Sequence, residues 1–210
     1  MAPNVFTQNV SRETFNRVDQ LWSTHFDKLN YYIDLLLDHN SRVNLISRKL
    51  SREEVVFHVK HSILPSALLF FANDTIWDAG TGGGLPGIPL AIINPDKHFI
   101  LHDKSSKKIK IVEQIIDQLQ LTNCSTHLED LNNVSFKKPV TLVSKHSFKL
   151  DDFIKRSNKL NWSDAVFLKG NNFLDELNND HIKQFDITCY KLDNGGALYS
   201  EKVMLVIQKR

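Results

Sequence analysis

The chain has 210 residues, 41% of them hydrophobic, which suits one domain with a sizeable core; nothing requires a second independent domain. Its 26 Lys and Arg against 24 Asp and Glu leave a formal charge of +2 and an isoelectric point near 8.4, so a phosphate-binding surface has to be a local patch. Met1 to Val10 lacks a basic start followed by an apolar run, and no stretch approaches the ~20 apolar residues that span a bilayer, so the default is a soluble cytoplasmic protein. Cys124 and Cys189 lie inside apolar stretches, as expected of buried reduced thiols, not of a disulfide framework or a clustered zinc site.

In chain order, Phe15, Val18, Trp22, Phe26 and Leu29 recur at helical spacing and Ile33, Leu36 and Leu37 continue the stripe. The first 40 residues therefore read as helix, broken once at most, and form an N-terminal helical cap over residues 1–72. Asn40 to Leu45 is a polar turn. Ser51 with Glu54 three residues on is a capping box, opening a helix through Val55, His58 and Ile63 toward Pro65. From Thr75 short apolar runs alternate with amphipathic segments, the pattern of βα units. Strands are expected at Thr75–Trp77, Phe99–His102, Cys124–Leu128, Val140–Val143 and Ala165–Leu168, and the clearest helix at Ser106–Leu119. Beyond Asn179, Phe185–Tyr190 and Val203–Ile207 flank Asn194-Gly195-Gly196 and read as two antiparallel strands closing one edge. Residues 73–210 thus form a doubly wound, mainly parallel α/β sheet of seven strands.

The most informative stretch is Asp78-Ala-Gly-Thr-Gly-Gly-Gly-Leu-Pro-Gly87, directly after a strand and before the helical run Ile88–Ile93. Four of the eight glycines fall between Gly80 and Gly84, where the backbone has to turn tightly and approach a ligand, while the helix start offers free N–H groups. Asp103 ends the next strand 23 residues after Gly80, close to the spacing at which a carboxylate reaches ribose hydroxyls. Strand, loop, helix, strand and acid in this order point to a nucleoside-containing cofactor; the bland alternative is an ordinary strand-to-helix turn. Pro86 has no N–H for a pyrophosphate, and there is little room for a separate substrate domain. Both features favour S-adenosylmethionine over a dinucleotide, with a nicotinamide-dependent oxidoreductase as the competing class.

Asp78 to Ala91, with Asn44-Leu45, His58-x-x-His61-Ser62 and Leu168-Lys169-Gly170, resembles the ribosomal RNA small subunit methyltransferase G family, formerly called glucose-inhibited division protein B. The resemblance runs from about residue 15 to the C-terminus. It implies a Rossmann-like class I methyltransferase fold and methylation of N7 of a guanine in the decoding-region loop of 16S rRNA. It also implies 16S rRNA or the small ribosomal subunit as partner, with no membrane, DNA or metal, and a monomer. The third possibility is a catalytically inactive ribosome-binding module.

The resemblance places cofactor contacts at Gly80, Leu85 and Asp103, within a loop that also contains Asp78, Thr81, Gly82 and Gly84. Further contacts belong to the turn after the third parallel strand, where the family's Arg-x-Glu is replaced by His127-Leu128-Glu129-Asp130-Leu131-Asn132. The adenine-side contact there is Glu129, Asp130 or the Leu131-Asn132 pair, with Glu129 favoured. Lys145 stands where the family has arginine, which loses the planar fork, and His61 where many members have aspartate.

Transfer to guanine N7 removes no proton, in keeping with the lack of a triad or carboxylate pair in the sequence. Lys145 and Lys169, just past strand ends on the ligand side of the sheet, are the candidates for guiding phosphate or base; otherwise they are solvated surface lysines. Lys104, Lys107, Lys108 and Lys110 form a basic rim that Arg42, Arg48, Lys49 and Arg52 extend, and these are RNA-backbone candidates or a solvated face. His58 and His61 read as packing or hydrogen-bonding residues, since no nearby Cys or acid completes a metal site.

Overall fold

A computed structural model describes residues 5–69, 71–157, 159–177 and 184–210. The expected N-terminal helix is broken once, at His25, into α1 (Arg12–Thr24) and α2 (Phe26–Arg42). α3 (Arg52–Leu68) begins at the capping box. The Ser51 hydroxyl accepts the Glu54 N–H at 3.3 Å, and the Glu54 carboxylate accepts the Ser51 N–H at 2.7 Å. The helix runs one turn past Pro65, because Leu69 N–H still reaches the Pro65 carbonyl at 2.7 Å. A polar segment of the cap, Val5–Asn9, forms an unexpected strand, β1. The asparagine-to-leucine turn is also shorter than expected, since α2 continues through Arg42.

The seven expected strands all form. They are β2 (Thr75–Ala79), β3 (His98–Asp103), β4 (Cys124–Leu128), β5 (Val140–Lys145), β6 (Trp162–Gly170), β7 (Phe185–Lys191) and β8 (Lys202–Lys209). With β1 they make one eight-stranded sheet in the order β1-β7-β8-β6-β5-β2-β3-β4. β2 to β6 run parallel, β8 lies antiparallel between β6 and β7, and β1 covers the outer side of β7 in parallel. Both cysteines are free, on β4 and β7.

Period-two alternation divides the core between the two faces of the sheet. Ile76, Val143, Val166, Leu168 and Met204 face the cap, α4 (Gly87–Ile93) and α5 (Ser106–Gln118). Trp77, Leu142, Phe167 and Leu205 face the other side, where α6 (Leu150–Ser157) packs through Phe153 and Ile154. The chain moves outward from β2 through β3 to β4 and returns to β2's other side as β5. That reversal opens a crevice beyond the carboxyl ends of β2 and β5, where ligands bind in open α/β sheets. No helix among the described residues is long and apolar enough to cross a membrane.

The Ser51 cap is exposed and locally bonded, so its contribution can be read in isolation. Ser51→Ala is expected to destabilise the protein by about 1 kcal/mol with an unchanged denaturant slope in urea unfolding. An unaltered midpoint would show that the box contributes nothing to α3.

Candidate active site at the strand-order reversal

The crevice holds a cleft of about 890 Å³. Its floor is the glycine loop, fastened from below by Asp78. One oxygen of this fully buried carboxylate accepts both the Thr81 hydroxyl at 2.6 Å and the Gly87 N–H at 2.9 Å. Burial pushes the Asp78 carboxyl up to about 7, against the opposing pull of those two bonds. The start of α4 is therefore not the free anion seat the sequence suggested, because its Gly87 donor is committed inside the protein. A dinucleotide pyrophosphate finds no seat there, and the oxidoreductase alternative loses its support.

Gly80 needs its missing side chain twice over. Its φ is +72°, and a Cβ would lie 2.7 Å from the Ser147 Cβ. The loop is held from both sides. The buried Tyr32 hydroxyl of α2 donates to the Gly83 carbonyl at 2.9 Å, and the Ser147 hydroxyl donates to the Gly80 carbonyl at 2.6 Å. Asn40 shapes the adjoining turn by accepting the N–H groups of Leu45 at 2.8 Å and Ile46 at 3.0 Å.

Of the expected cofactor residues, Gly80, Thr81, Gly82, Leu85, Asp103 and Leu131 line the cleft. Asp103 accepts N–H groups from Gly82 at 3.2 Å and Ser105 at 2.9 Å, which fixes its carboxylate at the loop's edge. Asp78 and Gly84 do not line the cleft and act from beneath. Glu129 and Asn132 are also absent from the lining. The Glu129 carboxylate turns to its own turn, accepting the Asp130 N–H at 2.9 Å and the Asn133 amide at 3.0 Å. Asn132 is bonded to Asp130 through both its N–H and its side-chain amide. The acid that faces the cleft at this turn is Asp130.

Among the lining residues not singled out from sequence are two at or just past strand ends. His102 packs on Trp77 with ring centroids 4.5 Å apart and the rings tilted by 41°, and bonds the Glu129 carbonyl at 2.8 Å; Phe148 follows β5. Their only signal was position at or just past a strand end.

Lys145 and Lys169 are not brought together. Lys145 lines the cleft, but its ammonium donates to the His58 carbonyl at 2.6 Å and the Ser62 hydroxyl at 3.1 Å, tying β5 to α3. Burial lowers it to about 7; the Lys202 charge adds to this and Asp78 opposes it. Lys169 lies outside the cleft lining. Its ammonium donates to the Phe148 carbonyl and pairs with Glu176, both at 2.5 Å.

Of the basic candidates, Lys104 and Lys108 line the cleft, whereas Lys107 and Arg48 stand exposed outside it. Arg42 is exposed beside Asp38 at 3.5 Å, and Arg52 is paired with Asp34 at 2.5 Å. Lys149 and Arg156, which the sequence reading did not select, line the wall near α6. His58 lines the cleft, and burial, with the Lys145 charge next, pushes its imidazole down to about 4.

A glycine loop on the first parallel strand, an acid ending the second, and a sheet closed by an antiparallel hairpin define a class I S-adenosylmethionine-dependent methyltransferase fold. Solved structures agree. A SAM-dependent methyltransferase from Aquifex aeolicus superposes with TM-score 0.54 at 11% identity, covering 77% of this chain and 100% of that one. A SAM-dependent O-methyltransferase from Thermotoga maritima gives TM-score 0.54 at 14% identity, covering 83% and 71%.

The family described as rRNA small subunit methyltransferase G matches residues 25–191, and the chain belongs to that family. Relatives named ribosomal RNA small subunit methyltransferase G include one from Flavobacterium psychrophilum, 33% identical, covering 86% of this chain and 89% of its own. Another, from Chlorobium limicola, is 30% identical and covers 90% and 91%.

Beside the cleft, His61 is fully buried between Phe57 and Tyr199, and neither ring nitrogen has a hydrogen-bond partner among the described residues. Burial, followed by the Lys145 charge, holds its imidazole well below 6.5. Below pH 6.5 the unfolded chain therefore gains a proton that the native state refuses, and stability falls with pH. His61→Leu is expected to remove about 1.4 kcal/mol per pH unit from that acid-side slope while costing little at pH 7.5. Urea unfolding between pH 5 and 7.5 checks it, and an unchanged slope would mean that His61 protonates in the native state.

Proposed function

We propose that the protein methylates N7 of a guanine in the decoding-region loop of 16S rRNA, using S-adenosylmethionine. The observation that carries the cofactor half is the Asp103 carboxylate fixed by the Gly82 N–H at the loop's edge, with the helix start closed off by Asp78. The residues fit the cofactor: the cleft is within the ~300–1,000 Å³ range of ligand sites, and the Asp103 carboxylate is held at its edge beside the glycine loop. S-adenosylmethionine, when bound, supplies a methyl group activated by its positively charged sulfur.

Asp103 takes the ribose hydroxyls. Gly80, Thr81, Gly82 and Leu85 shape the seat over the Asp78 and Gly84 turn, while Asp130 and Leu131, with Glu129 and Asn132 behind them, border the adenine. Guanine N7 has a lone pair and no hydrogen, so the chain's task is to orient the base and exclude water, with no proton to remove. Lys145 acts by tying α3 to β5 beside the reacting groups, and Lys169 supports the wall behind Phe148. Lys104 and Lys108 contact RNA phosphate, with Lys107, Arg42 and Arg48 farther out. Of residues 1–72, helices α1 to α3 serve as the cap, while β1 joins the sheet of the catalytic unit formed by 73–210, a monomer working in the cytoplasm on 16S rRNA or the small subunit.

The expected result in a methylation assay is N7-methylguanine in small subunits from cells lacking the enzyme, detected by reduction and aniline cleavage of the strand. Calorimetry is expected to show S-adenosylmethionine binding, no NAD binding, and a loss of roughly 1–3 kcal/mol in Asp103→Ala. Methyl incorporation at another atom would defeat the acceptor; full affinity in Asp103→Ala would remove Asp103 from the site.

A further inference from the structure

Resting on the methyl transfer proposed above, we infer that Phe148 is the platform on which the acceptor purine stacks. Among the described residues lining the cleft it is the sole benzene ring. Its edge touches the glycine loop: the Phe148 Cε2 lies 3.1 Å from where a Gly80 Cβ would be, so only a residue without one lets the ring sit there. The ring is half-buried, and Phe153 packs on it with ring centroids 5.9 Å apart.

The main chain around the ring is fastened more heavily than a surface loop requires. His146 has a left-handed φ of +55°, which a non-glycine residue adopts at a cost. The Ser147 hydroxyl reaches the Gly80 and Lys145 carbonyls at 2.6 and 3.2 Å. Lys169 holds the Phe148 carbonyl from outside the cleft, and its partner Glu176 also accepts the Leu150 N–H at 3.0 Å. An aromatic ring so fixed is pre-organised for a planar ligand. Lys104, Lys108, Lys149 and Arg156 line the same cleft, a supply of positive charge for the phosphates on either side of a splayed-out base.

The reaction gives the platform a catalytic use. As the N7 lone pair forms the new N–C bond, the methyl–sulfur bond breaks with its electrons going to sulfur. No proton leaves, and the positive charge passes to the purine. The face of a benzene ring attracts a cation, so stacking strengthens as the charge arrives. An interaction stronger in the transition state than in the ground state raises kcat as well as affinity.

The test compares Phe148→Leu, which keeps apolar bulk without the ring, with Phe148→Tyr, which keeps the ring. Both use the full-length protein and small subunits from cells lacking the enzyme. Phe148→Leu is expected to lower kcat by roughly 3- to 30-fold and to weaken subunit binding, with S-adenosylmethionine affinity and circular dichroism unchanged; Phe148→Tyr recovers most of the loss. If Phe148→Leu matches an active wild type, or Tyr loses as much as Leu, the platform is wrong while the methyltransferase function stands. Cofactor affinity falling by the same factor as kcat would move Phe148 into the cofactor seat and also overturn the proposal. If the leucine variant does not fold, Phe148→Trp decides: sustained kcat supports the platform and a loss overturns it. A wild-type chain that methylates no rRNA sinks the function itself.

Discussion

One buried oxygen atom organises this molecule. The Asp78 carboxylate, next to last on β2, lies beneath the glycine loop and accepts a hydrogen bond from each side of it, Thr81 before the turn and Gly87 after it. In a site with no water to replace them, losing either bond leaves a buried polar group unpaired, at about 1–3 kcal/mol. The loop's shape is therefore set before any ligand arrives. The same bonds dictate which ligand is suitable. With the first donor of α4 consumed internally, the groups left to a ligand are the upper surface of the loop and the Asp103 carboxylate, which suits hydroxyl groups and repels phosphates.

Acids and bases are interleaved along the cleft. Asp103, Asp130 and Asp152 line it together with Lys104, Lys108, Lys149 and Arg156, and the Asn132 N–H, with the Arg156 and Lys104 charges, holds the Asp130 carboxyl below its usual range. Between them His58, pushed down to about 4 by burial and Lys145, is uncharged at neutral pH. Such an imidazole is nearly always deprotonated at pH 7 and can carry no proton as an acid there. With so low a basicity it is also a weak proton acceptor, which suits an acceptor that has no proton to lose.

What could be read from the sequence followed from periodicity and order. The βα alternation, the capping box and the loop followed by Asp103 rest on local chemistry, and each appears in the structure. The misplaced features turn on single-residue offsets. In the pairing of β5 with β6, Lys145 is opposite Leu168, so Lys169 is one residue out of phase and its side chain leaves by the other face of the sheet. Strand-end position selected both lysines, but only pairing register distinguishes them. Asp130 and Glu129 differ by the same single step, after a strand whose turn type the sequence did not reveal. β1 escaped notice because Val5–Asn9 is short and mostly polar, with Phe6 66% exposed, and its pairing depends on β7 some 180 residues away.

The cap is fastened to the catalytic sheet at the two points that matter most for ligand binding. Tyr32 holds the glycine loop, and Lys145 holds α3 through the His58 carbonyl and Ser62. Two residues near these points, Lys145 and His61, depart from the pattern that the resemblance implies. An arginine fork is matched to a carboxylate, such as the aspartate many members carry before the serine. Here that position is His61, which is uncharged and turns toward Phe57 and Tyr199, so it offers no carboxylate to receive a fork. A lysine ammonium instead needs only single acceptors, and a carbonyl and a hydroxyl on α3 supply them. Keeping arginine beside His61 would bury a guanidinium without its bidentate partner, whereas Lys145 with His61 preserves the tie between helix and strand with smaller, individually satisfied groups.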